Sequence, residues 1–169
     1  MRQASINSPF NFRVGFGVDI HQLTKGRDLF IGGVQIEFEK GALGHSDADF
    51  LIHAICDALL GAANLRDIGF HFPDTDAQYK GIKSTVLLEK TISLVHEKGY
   101  SLGNLDATVV LEKPKLSPYI PEIKQKLSTI LKVGVDCVSI KATRSEKMGY
   151  IGNGEGAKAY CTVLIFKIE

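Results

Sequence analysis

Residues 13–20 form an apolar stretch running into a polar end, the pattern of a strand, and Asp19 and His21 stand two apart on one of its faces. Residues 28–33 and 34–38 predict a small hairpin that turns at Gly32-Gly33. A glycine-containing loop over residues 40–45 follows, and then the period changes. Phe50, Ile52, Ala54, Ile55, Ala58, Leu59 and Leu60 recur at helical spacing as far as Gly61 or Asn64. Ser46 is a good N-cap for this helix, with Asp49 at the capping-box position three residues on. Asp49 and His53, four apart, face the same way. Residues 65–80 are irregular and polar-rich, a connection with the character of a site wall. A second helix is predicted over 82–98, stopping at Gly99, and a strand over 105–112 with Asp106, Thr108 and Val110 on one side. Pro114 and Pro118 bracket a turn before a third helix over 120–131, and strands follow over 138–142 and 157–168. The glycine-rich segment 149–156 between them crosses over or lines an interface.

This order of strands and long helices predicts an α+β fold: a two-layer domain with a mixed, mainly antiparallel four-stranded sheet, helices on one face and the small hairpin beside it. The other face of the sheet needs a cover, which points to oligomerisation. A chain of 169 residues suits one domain and can bury roughly two-thirds of its unfolded surface. Residues 1–12 read as a flexible N-terminal extension without the apolar core of a leader, and 13–169 as the single domain. Net charge is +1, which gives no bulk electrostatic reason to expect nucleic acid or an anionic membrane as partner. Cys56, Cys137 and Cys161 sit singly in apolar segments, an odd set that suggests reduced thiols and a cytoplasmic setting.

Chemistry concentrates at a few points. Asp19, His21 and His53 offer one carboxylate and two imidazoles, the composition of catalytic zinc sites that keep a fourth position open. A histidine in an apolar helix also serves as a hydrogen-bonded core residue, and His45 suits a metal or a substrate contact equally. Ser46 and the N–H groups of the following first turn suit an anion, although capping alone also accounts for the serine. Asp67, Asp74 and Asp76 share one loop, either solvated or accepting hydrogen bonds from substrate hydroxyls, with Phe70, Phe72 and Pro73 as its apolar underside. Residues 141–147, Lys-Ala-Thr-Arg-Ser-Glu-Lys, form a mixed-charge loop or a site for phosphate and a hard divalent ion. Neither Gly15-x-Gly17 nor the 152–156 stretch fits a dinucleotide or P-loop pattern.

Taken in order, Phe16-Gly17-Val18-Asp19-Ile20-His21, Gly32-Gly33-Val34, His45-Ser46-Asp47-Ala48-Asp49, His53-Ala54, Asp57 through Ala62, Asp67-Ile68-Gly69 and Phe72-Pro73-Asp74-Thr75-Asp76 resemble the 2-C-methyl-D-erythritol 2,4-cyclodiphosphate synthase family. The likeness continues through Lys98-Gly99-Tyr100, Asn104-Leu105-Asp106, Lys141-Ala142-Thr143, Glu146-Lys147 and Gly154-Glu155-Gly156, and spans residues 13–168. It implies a homotrimer with its sheets facing a central axis and active sites between adjacent subunits. It implies cyclisation of 4-diphosphocytidyl-2-C-methyl-D-erythritol 2-phosphate with release of CMP, in non-mevalonate isoprenoid precursor synthesis. Carried over by position, Asp19, His21 and His53 bind Zn²⁺, and Glu146 binds Mg²⁺ or Mn²⁺ together with the substrate phosphates. His45 and Ser46 hold phosphate, and His45 also stabilises the transition state. Asp67, Ile68, Gly69 and the loop Phe72, Pro73, Asp74, Thr75 and Asp76 hold the methylerythritol part. Pro114, Lys115, Leu116, Ala142 and Thr143 surround the cytidine diphosphate part, and Tyr150 adds a further substrate contact. Two positions depart from the family pattern. Arg144 stands where a second threonine often stabilises the transition state, and it either keeps that catalytic role in altered form or points away. Asn153 replaces an arginine that in some relatives binds phosphate in the central cavity.

Overall fold

The computed structural model describes residues 10–168; residues 1–9 of the expected N-terminal extension lie outside the described residues. The long first strand β1 (Phe12–Lys25) is followed by three short ones, β2 (Leu29–Ile31), β3 (Val34–Ile36) and β4 (Lys40–Ala42). Then come α1 (Phe50–Ala62), α2 (Ile68–His71), α3 (Ser84–Glu97), β5 (Tyr100–Val110), α4 (Ile120–Leu131), β6 (Val138–Thr143), α5 (Gly149–Gly152) and β7 (Gly156–Lys167). The sheet has five strands in the order β4-β1-β7-β5-β6, not four. All neighbours are antiparallel except β5 and β6. The extra strand exists because β1 outruns residue 20. Its first part pairs with β7 as far as Gln22, and its last residues pair with β4, Leu23 opposite Ala42. The hairpin forms as predicted, with β2 against β3 and Gly32 and Gly33 at positive φ in the turn. Residues 65–80, expected to be irregular, contain α2 and a single 3₁₀ turn at Ala77–Tyr79. The glycine-rich 149–156 segment supplies α5.

Helix α1 is the centre of the core. Phe50, Leu51, Ile52, Ile55, Leu59 and Leu60 on it are fully buried, and each such side chain contributes roughly 1.5–3 kcal/mol by leaving water. The helix lies against β1 and β7, and it comes close because β1 presents glycines to it. A Cβ on Gly15 would lie 1.9 Å from the Ala58 carbonyl oxygen, and one on Gly17 would lie 2.0 Å from that of Ala54. Moving along β1 from Gly15 to Gly17 therefore moves back along α1 from Ala58 to Ala54. Two strand residues advance roughly 6.6 Å and four helix residues roughly 6 Å, so the two elements stay in step. Two further residues along the same face of β1 bring Asp19, then His21, to the level of the first turn of α1, where His53 projects.

The opposite face of the sheet is open and carries an apolar stripe along β1 and the end of β7, where Phe12, Val14, Phe16, Ile20 and Phe166 are each more than 40% exposed, while toward β5 and β6 it bears the exposed Asp106–Lys141 ion pair. Among the described residues, no helix is long and apolar enough to cross a membrane. Cys56 and Cys161 are buried and Cys137 half-buried, all three as free thiols, and burial pushes the Cys56 thiol up to about 12.

Candidate active site and metal centre

The start of α1 differs from the sequence expectation. Its N-cap is Asp49, whose carboxylate accepts from Ile52 N at 3.0 Å, while Ser46 Oγ accepts from Ala48 N at 3.0 Å in a turn upstream. Ala48 has a φ of 55°, so the chain is not yet helical there. Asp49 is fully buried and also accepts from Gly32 N and Gly33 N at 2.9 and 2.6 Å, docking the hairpin turn onto the helix. Of the first-turn donors of this helix, Ile52 N is thus engaged by Asp49 and not by Ser46. Asp49 turns toward the hairpin, while His53 projects toward β1.

Among the described residues, one group of three or more His, Cys, Asp or Glu side chains is able to hold an ion: Asp19, His21 and His53, whose ligand atoms lie within 4.8 Å of one another. Asp19 Oδ2 stands 2.9 Å from His21 Nδ1 and 3.1 Å from His53 Nδ1. The donor set fits a metal. His21 Nδ1 is buried yet has no hydrogen-bond partner, since its short contact with Asp19 lies out of hydrogen-bonding line. A buried ring nitrogen left in this way, facing a carboxylate and a second imidazole, is costly unless a cation takes its lone pair. Burial works to raise the Asp19 carboxyl, but the two histidines hold it down at about 2. Burial likewise works to lower His53, and the Asp19 carboxylate overcomes this and raises it.

These shifts set a pH window for the metal-free protein. Asp19 is depressed from 3.8, so its stabilisation is present above 3.8 and is lost as pH falls through about 2. His53 is raised above 6.5, so its share is full below 6.5 and is lost as pH rises through the higher folded value. The Tm difference between chelator-treated wild type and Asp19→Asn should therefore be largest between pH 3.8 and 6.5 and shrink on both sides.

His21 and His53 open onto a cavity of about 370 Å³. His45, Ser46, Ile68, Gly69, Phe72, Pro73 and Asp74 line it, as does a group that sequence reading did not find: Gly44, Tyr79, Ile82 and Leu87. Ile82 and Leu87 belong to the approach and first turn of α3, inside the helix predicted over 82–98, whose span does not show which cavity they face. Asp67 caps α2 through Phe70 N at 3.0 Å, and Asp57 on α1 accepts from Ile68 N at 2.7 Å, so α2 is tied to the helix that carries His53. Asp76 caps the 3₁₀ turn and Thr75 is exposed; neither lines the cavity. Phe70, expected underneath the loop, is 55% exposed, with Arg66 over its ring.

Pro114, Lys115, Leu116, Ala142, Thr143 and Arg144 line a separate cavity of about 170 Å³, which shares no lining residue with the first. Tyr150 joins Ile20, His21, Gln22, Glu155 and Gly156 in a third groove, which touches the metal centre through His21. Glu146 is exposed and lies outside the ligand group of Asp19, His21 and His53. It sits in a loop held by Glu112, which accepts from Ser145 N and Lys147 N at 3.3 and 3.4 Å.

The YgbB family model matches residues 12–166. A 2-C-methyl-D-erythritol 2,4-cyclodiphosphate synthase of Bacteroides fragilis is 56% identical over 92% of this chain and 98% of its own length. One from Parabacteroides distasonis is 59% identical over 90% of this chain and 95% of its own. Among solved structures, a Plasmodium falciparum IspF–CDP complex superposes with a TM-score of 0.83 at 32% identity, covering 96% of this chain and all of the other. The bifunctional IspDF of Campylobacter jejuni superposes with a TM-score of 0.91 at 36% identity over 95% of this chain, which spans 43% of that longer protein.

Proposed function

The chain belongs to the YgbB family, and from that premise we propose that it converts 4-diphosphocytidyl-2-C-methyl-D-erythritol 2-phosphate to 2-C-methyl-D-erythritol 2,4-cyclodiphosphate and CMP. It is a metal-dependent phosphorus–oxygen lyase of isoprenoid precursor synthesis. The observation that carries this reading is the Asp19, His21 and His53 centre opening onto the cavity of His45, Ser46 and Asp74. Full-length relatives of more than half identity bear the synthase name.

The substrate's own 2-phosphate is the nucleophile. One of its oxygens bonds to the β phosphorus, the bond from that phosphorus to the CMP oxygen breaks, and CMP leaves with the electron pair. No protein nucleophile is required, so the work of the chain is positioning and charge neutralisation. Zn²⁺ on Asp19, His21 and His53, and Mg²⁺ or Mn²⁺ on Glu146 with phosphate oxygens, supply Lewis acidity when bound. His45 and Ser46 donate to phosphate oxygens at the cavity wall, and His45 stabilises charge in the transition state. Ile68, Gly69, Phe72, Pro73 and Asp74 at the cavity wall hold the methylerythritol part, with Asp67 and Asp76 capping the short helices of the same segment and Thr75 between them.

We place the cytidine diphosphate part against Pro114, Lys115, Leu116, Ala142 and Thr143, with Tyr150 beside it. The chain acts as a trimer in which this cavity from one subunit completes the metal cavity of the next. Two features support that arrangement: the two cavities share no residue within one chain, and the apolar open face of the sheet needs a partner surface. The buried free thiols suit the reducing cytoplasm.

Purified protein supplied with the substrate, Zn²⁺ and Mg²⁺ should release CMP and the cyclic diphosphate in equal amounts, lose both on chelation and regain both on adding metal. Linear hydrolysis products in place of the cyclic one would overturn the assignment. Arg144 lines the cytidine cavity at the position of the usual second threonine. Arg144→Thr should shift kcat measurably, by up to about tenfold, since a hydroxyl and a guanidinium reach the same oxygen with different length and charge. Unchanged kcat and KM would remove Arg144 from the catalytic set.

A further inference from the structure

Behind the metal centre, on the side away from Asp19, the structure holds a chain of hydrogen bonds that links His53 to a second carboxylate. His53 Nε2 lies 3.0 Å from Ser84 Oγ, and Ser84 Oγ donates to Asp47 Oδ1. Ser84 is fully buried as the first residue of α3, and Asp47 lies in the loop before α1. A serine hydroxyl has one hydrogen, and here Asp47 takes it. Ser84 Oγ therefore meets His53 as an acceptor, and Nε2 must carry the proton. Nδ1, which hydrogen-bonds Asp19 Oδ2 at 3.1 Å in the metal-free protein, is then the atom whose lone pair a metal takes once its own proton leaves.

The relay is held at both ends by backbone. Ser84 N donates to the two Asp47 oxygens, 3.1 Å to each, and Asp47 N donates to Ile82 O at 3.2 Å. One turn further out, Gly81 N donates to His45 O at 2.7 Å. Ser46 Oγ, which accepts from Ala48 N, also approaches His53 Nε2, but at 3.4 Å, and it lies on the cavity wall.

We propose that Ser84 and Asp47 are positioning residues for the metal: through Ser84, Asp47 fixes the His53 ring with Nδ1 as the ligand atom and raises its basicity. This inference rests on the metal-centre reading above. A carboxylate or hydroxyl partner on the far nitrogen of a ligating histidine typically changes metal affinity 10–100-fold. The arrangement also joins the loop of His45 and Ser46 to the metal ligand, so that segment and His53 keep one geometry.

The test is zinc affinity by competition with a chromophoric chelator, together with the Tm of the metal-free proteins. Ser84→Ala removes the hydroxyl but keeps the backbone N–H that Asp47 caps. It should weaken zinc binding about 10–100-fold while leaving the metal-free Tm nearly unchanged. In the zinc-loaded wild type, the His53 Nε2 proton should exchange slowly with solvent by NMR, and in Ser84→Ala it should exchange fast. Asp47→Asn keeps an acceptor for Ser84 Oγ and loses the charge, so its zinc affinity should fall between the other two. Wild type that binds zinc no more tightly than Ser84→Ala, or a weakening matched by a loss of metal-free Tm, would overturn the relay. Wild type that binds no zinc would instead overturn the metal centre itself, and the relay with it.

Discussion

Replacing Asp19 by asparagine is expected to lower kcat/KM about 1,000-fold or more and to strip the bound metal, with the fold retained. Asp19 is the single carboxylate in the centre, and it faces both ring nitrogens within about 3 Å. Its carboxyl is held down at about 2, so above pH 4 it is the anion that a cation requires. Asparagine has the same shape but offers an amide, which loses the charge and presents two N–H donors toward a position that needs lone pairs. Losing about 4 kcal/mol of transition-state stabilisation corresponds to the thousandfold fall. Metal content measured on the purified variant separates the two halves of the prediction. A variant that keeps full metal content and activity would sink the assignment of the centre. Retention of the fold follows from position: Asp19 is partly exposed at the cavity edge, and the core beneath it is built by α1 and not by this side chain.

Gly17→Ala should be a severely destabilising single-methyl substitution. The added Cβ would sit 2.0 Å from the Ala54 carbonyl oxygen and 2.7 Å from Ala58 N. Both are backbone atoms of the buried helix α1, so no side chain can swing aside. Relief requires moving the helix off the sheet, which opens the core. The expected loss is about 4 kcal/mol, or roughly 10 °C in Tm for a chain of this size. The same displacement carries His53 away from Asp19 and His21, so residual folded protein should bind zinc poorly. Gly61→Ala is the control. It lies in the same helix, a Cβ there meets nothing within 4 Å, and it should stabilise by roughly 0.5–1 kcal/mol. Thermal melts of the two variants side by side decide the matter: a Gly17→Ala Tm within 2 °C of wild type would refute the close-packing account.

Much of this protein is readable from local rules. The helical period from Phe50, the strand parity of Asp19 and His21, the hairpin turn at Gly32-Gly33 and the three long helices all follow from side-chain spacing, because each depends on neighbours within a few residues. The metal triad was legible for the same reason: parity places two ligands on one strand face, and residue chemistry marks the third. The resemblance added the cavity segments that spacing could not, His45 and Ser46 and the loop from Asp67 to Asp74. The cap of α1 was misjudged because Ser46 and Asp49 both have capping chemistry. The choice between them is made by the hairpin turn, 16 and 17 residues away in sequence, whose amides Asp49 also satisfies. Strand β4 was missed because three residues carry no period, and only the length of β1 beyond Gln22 gives them a partner. Ser84 looked like any helix start. Its tie to His53 and Asp47, 31 and 37 residues away in sequence, exists only once α3 packs beside α1. The amino-acid sequence by itself thus determined the long elements, the ligand types and the family. Tertiary structure alone decided which donors converge, which cap wins and which nitrogen of His53 faces Asp19, because these depend on contacts between segments that no local spacing encodes.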